Sequence, residues 1–72
     1  MRCEFNDGLR VSYAGRLRIH KENEINVYLD PEEIPETIQG RLHDAAVQEN
    51  CGDLRNIAHE VTDMFGTNLP EQ

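Results

Sequence analysis

Six of the seven basic residues in this 72-residue chain are arginines, and Arg2, Arg10, Arg16 and Arg18 all fall near its start. A guanidinium donates hydrogen bonds in pairs to a carboxylate or a phosphate, so clustered arginines read as an anion-contact surface. His20 and Tyr28 lie in the same segment. Arginine and tyrosine are the side chains that tend to dominate binding energy at protein interfaces. Catalytic groups are missing. Ser12 is the only serine, and the chain has no glycine-rich phosphate loop, no HExxH and no GxSxG. The paired carboxylates Glu32/Glu33 and Glu60/Asp63 fit a solvated helix surface better than acid–base work. His43, Cys51 and His59 are spaced evenly, but His59 falls on the polar side of its helix and a fourth ligand is missing. Zinc sites show tighter ligand pairs. We therefore expect no enzyme, no cofactor and no metal. Cys3 and Cys51 are expected to be free, with Cys3 acting as a small hydrophobe on the apolar side of a strand.

The composition sets bounds on partners. The net charge is −7, with 38% hydrophobic and 29% charged residues. That balance fits a folded chain, and its sign disfavours nucleic acid and anionic membrane. No apolar run approaches the roughly 18–20 residues of a bilayer span. The N-terminus lacks the apolar stretch of a secretory leader, so a cytoplasmic location is expected. The mean hides a split. Residues 1–21 hold five basic against two acidic side chains, while residues 22–72 hold two against twelve. One basic and one acidic face follow from this.

The elements that must position these residues are legible. Apolar side chains alternate with polar ones through residues 3–29, the pattern of strands with one face buried. Four short strands are expected, near 2–5, 9–13, 17–20 and 25–29. Residues paired across a hairpin share a face, so each loop must hold an odd number of residues. Asn6-Asp7-Gly8, Ala14-Gly15-Arg16 and Lys21-Glu22-Asn23 fit, giving a meander. Asp30-Pro31-Glu32-Glu33 is a helix-start pattern, but Pro35 would break it. We therefore expect a single turn at 31–34 and a helix from Pro35 or Glu36, ended by Asn50-Cys51-Gly52. Asp53 should cap a second helix with an apolar stripe of Leu54, Ile57, Ala58, Val61, Met64 and Phe65, stopped at Gly66. The expected architecture is α+β (ββββαα): a single domain over 1–66, two helices on one sheet face, and a mobile polar tail at 67–72.

One sheet face then stays open. In the expected register its rows read Arg2, Ser12, Arg18, Asn26 and Glu4, Arg10, His20, Glu24, with Arg16 beside Tyr28. The helices form a second candidate surface, an acidic layer that includes Glu32, Glu33, Glu36 and Asp44. Such a layer attracts a basic groove over long range. A helix-turn-helix reading fails, because the second helix carries Asp53, Glu60 and Asp63 against Arg55 alone. The sequence points to a small non-enzymatic protein-binding module, an accessory or inhibitory protein such as a phage-encoded modulator of a host complex. The alternative is single-stranded nucleic-acid binding through the basic hairpins. A homodimer is a further option, since both outer strands leave unpaired edges.

Overall fold

The computed structural model describes residues 1–66; the expected tail at 67–72 lies outside the described residues. The period-two alternation forms four strands, β1 (Arg2–Glu4), β2 (Arg10–Ala14), β3 (Arg16–Lys21) and β4 (Ile25–Leu29). They make one antiparallel sheet in sequence order. A 3-10 turn, Pro31–Glu33, leads into α1 (Glu36–Gln48), followed by α2 (Cys51–Phe65). The fold is α+β, a four-stranded meander followed by two helices.

Parity sets the first two hairpins as expected. Cys3 pairs with Val11, Val11 with Ile19 and Tyr13 with Leu17. Gly8 holds a positive φ of 93°, and the Phe5 N–H donates to the Leu9 carbonyl at 2.9 Å to close the three-residue loop. The third hairpin differs from expectation by two residues. Lys21 pairs with Ile25 and Arg18 with Tyr28, so His20 faces Asn26 rather than Glu24. A slip of two leaves every side chain on its own face, which is why parity cannot detect it. The reason lies in β4. The expected register sets Leu29 opposite Gly15 in a turn, whereas the observed one sets it opposite Leu17 and Val27 opposite Ile19. Asn23, in the middle of the loop, takes the positive φ of 65°.

Both helices lay their apolar stripes on the inner sheet face. Ile38, Leu42 and Ala45 of α1 and Leu54, Ile57, Ala58 and Val61 of α2 are buried with Val11, Leu17, Ile19 and Val27 in one shared core. Burying eight large side chains almost completely gives each about 1.5–3 kcal/mol of transfer free energy. Three expectations at the helix ends need correction. α1 stops earlier, at Gln48, with Glu49 in the left-handed region at φ 53°. The cap of α2 is Asn50, not Asp53: its side-chain oxygen accepts from the Asp53 N–H at 3.1 Å. Met64 and Phe65 do not join the core; they are 56% and 44% exposed in the last turn of α2, whose last buried residue is Val61.

The cysteines are the largest correction. Cys3 and Cys51 form a disulfide between β1 and the first residue of α2, with Cα atoms 5.9 Å apart. Cys3 does sit on the buried face, but α2 starts beside β1, which the expected later start near Asp53 concealed. The bond closes a loop across a separation of 48 residues.

Candidate functional site

The outer sheet face is built by alternation alone. Each strand that turns apolar residues inward must turn the intervening ones out. With the observed register its first row reads Arg2, Ser12, Arg18, Tyr28, and its second reads Glu4, Arg10, His20, Asn26. The two-residue shift moves Tyr28 away from Arg16 and sets it directly opposite Arg18. Adjacent strands lie about 4.8 Å apart, so Arg2, Ser12 and Arg18 span one continuous stripe. A shallow depression of about 350 Å³ runs over Arg2, Glu4, Arg10, Ser12, Arg18 and His20. Its volume lies at the small end for ligand pockets, and it is open rather than enclosed.

The charges on this face differ from those elsewhere. Arg16 lies 3.9 Å from Asp30. Lys21 reaches Asp7 at 4.0 Å and Glu24 at 3.6 Å. Arg41 grips Glu60 with two hydrogen bonds of 2.7 and 2.6 Å. Arg55 grips Asp7 with both terminal nitrogens and stacks over the Phe5 ring at 4.7 Å from its centroid. Arg2, Arg10 and Arg18 make no ion pair among the described residues. Glu4 is the cross-strand partner of Arg10, yet the Arg10 guanidinium turns the other way and donates to His20 Nδ1 at 3.3 Å. Three cations unpaired among the described residues thus share these two rows with one carboxylate.

The acidic candidates are less concentrated. Glu33 is committed locally: its carboxylate accepts from the Asp30 N–H at 2.8 Å and holds the 3-10 turn. Glu32, Glu36 and Asp44 are exposed. Glu60 is bound to Arg41, which holds its carboxyl below the usual range and raises the Arg41 guanidinium. Among the described residues no group of three histidine, cysteine or acidic side chains could hold a metal ion. No helix in the described residues is long and apolar enough to cross a membrane.

Sequence reasoning brought Arg2, Arg10, Arg18 and His20 onto one face and misplaced Tyr28 by one row position. Arg16, on the same face by parity, is drawn to Asp30. Asp7 was missed altogether. Its side chain meets Arg55 and Lys21, and the Arg55 hydrogen bonds together with the Leu9 N–H hold its carboxyl down at about 2. The local sequence signals only its turn role; the contact to Arg55 crosses 48 residues. No known protein family, curated protein or solved structure matches this chain.

Proposed function

We propose that the protein is a non-enzymatic docking module whose open sheet face binds an acidic surface on a partner protein. The observation that carries this reading is the division of the cations. Four of the seven are held by carboxylates of the chain itself, and the three that are not lie together on one face. In a chain of net charge −7, acids are plentiful, yet only Glu4 lies in this stripe. Arg10 lies diagonal to both Arg2 and Arg18 across the adjoining strands, a like-charge arrangement that an acidic partner would relieve. Tyr28 beside Arg18 adds the amphipathic contact area typical of interface centres. The class of module proposed is an accessory or inhibitory protein, such as a phage-encoded modulator of a host complex. The cytoplasmic location belongs to this proposal as well. The Cys3–Cys51 bond, of the kind that lasts in oxidising compartments, speaks against that location, and recovery of the oxidised form after alkylation of acid-quenched native cells would overturn it.

The test is partner capture from native cells with two charge-reversal pairs. Arg10→Glu with Arg18→Glu should abolish capture while circular dichroism stays unchanged. Glu36→Lys with Asp44→Lys should leave it intact. Full capture by the arginine variant overturns the reading. One observation favours the nucleic-acid alternative, namely the Arg18–Tyr28 pairing, which could stack a base. A salt-sensitive gel shift of single-stranded oligothymidine, lost in the arginine variant, would replace an acidic protein by nucleic acid as the partner.

A further inference from the structure

We propose that β4 is a self-association edge, on which a second copy of this chain pairs its own β4 antiparallel about a two-fold axis. The proposal does not rest on the docking role of the arginine face. The two outer strands of the sheet are unlike. β1 has three residues, two of them charged, and is tied down by the disulfide to α2. β4 has five residues, Ile-Asn-Val-Tyr-Leu, with no charge and no proline. Outer strands of stable monomers are usually short, charged, bulged or covered. β4 is none of the first three, and its backbone makes no turn, loop or cap hydrogen bond among the described residues.

A second copy fits this edge because charge is balanced locally there, against the long-range repulsion of two like-charged chains. Two chains of net charge −7 repel over most approaches, and most strongly helix layer to helix layer. Centring the axis on Val27 sets Asn26 opposite the other copy's Tyr28 and keeps each apolar face aligned, because the register sum is even. The flanking acids, Glu24 and Asp30, then meet across the axis. Each brings its own cation, Lys21 for Glu24 and Arg16 for Asp30, so both ends of the seam are neutral clusters. Apolar cover is also at hand. α2 begins at β1, through Cys51, and contacts both β2 and β4. Its fifteen residues extend about 22 Å, long enough to reach the β4 edge across a sheet about 14 Å wide between outer strands. The exposed Met64 and Phe65 are the last two residues of α2, and the proposal places them beside that edge. Pairing would join two four-stranded sheets into one of eight, with both arginine stripes on the same side.

Sedimentation velocity over a concentration series tests this on the whole chain in its oxidised form. A dimer is expected that persists as salt is raised. Asn26→Lys places an ammonium from each copy at the seam and should weaken the dimer about tenfold or more, with circular dichroism unchanged. Phe65→Glu, far from the sheet hydrogen bonds, should weaken it independently. Amide exchange in β4 should slow with concentration while that in β1 does not. A chain that stays monomeric up to about 1 mM overturns the proposal. So does a dimer that ignores Asn26→Lys but dissociates in salt or in the Arg10→Glu, Arg18→Glu variant.

Discussion

Two regions of this small protein use the same chemistry to opposite ends. At the seam between sheet and helices, Arg55, Lys21 and Asp7 join the first hairpin to α2 and β3, and Cys3–Cys51 adds a covalent tie. On the outer sheet face, Arg2, Arg10 and Arg18 meet no such partner among the described residues. In the seam, charge is matched and closes long loops of chain. On the open face it is unmatched, and the strands carrying it are already held by the core beneath. The contrast separates charge that maintains the fold from charge left available for contact.

The disulfide gives the largest test of that contrast. Closing a loop across 48 residues restricts the unfolded chain, and the loop-entropy relation gives about 4 kcal/mol for it. A domain of this size has little more than that in total. Reduction, or Cys3→Ser with Cys51→Ser, should therefore bring unfolding to low urea. A midpoint shift equivalent to less than about 1 kcal/mol would mean that the remaining contacts hold α2 on β1 without the bond.

The next effect is the pH dependence of the seam. Asp7 titrates at about 2 in the folded protein, against an ordinary value of 3.8, because Arg55 and the Leu9 N–H favour its carboxylate. A lowered folded value means stability that is fully present above the unfolded value and is lost as pH falls through the folded one. Asp7→Asn should therefore be less stable than the parent at neutral pH, and the gap should close between about pH 4 and pH 2. Urea titrations of both proteins at several pH values measure it. A gap that persists unchanged at pH 2 would show that Asp7 acts through turn geometry rather than through its charge.

What the sequence disclosed follows the same division. Alternation from Cys3 to Leu29 and the stripe from Leu54 to Val61 are local periodicities, and they yielded the strands, the second helix and the outward rows that carry Arg2, Arg10, Arg18 and His20. The misreadings share another cause. The β3–β4 register was a choice between two pairings of equal parity, settled by which partner Leu29 meets. The cap of α2 was expected at Asp53, but Asn50 caps as readily by type, and one hydrogen bond between the two settles it. Neither Cys3–Cys51 nor Asp7–Arg55 leaves a local trace, because each depends on how α2 lies across the sheet. Periodicity reports which face a residue is on, while contacts between distant segments depend on the tertiary path.

The smallest expected effect is the most discriminating. If the open face has no part in holding the fold, Arg2→Ser, Arg10→Ser and Arg18→Ser should each change stability by no more than about 0.5 kcal/mol in urea denaturation. The sign has physical content as well. Arg2 and Arg18 stand on either side of β2, each diagonal to Arg10, so removing either relieves a like-charge repulsion and should be neutral or slightly stabilising. Arg10→Ser also removes the bond to His20, an exposed contact whose loss water can compensate. A loss of more than about 1 kcal/mol at any of the three would place that arginine among the structural cations, and the division between seam and open face would no longer hold there. Small effects at all three, set beside a large one at Cys3 and Cys51, would show that the arginines have no role in stability, and capture by the Arg10→Glu, Arg18→Glu variant then decides whether they serve partner contact.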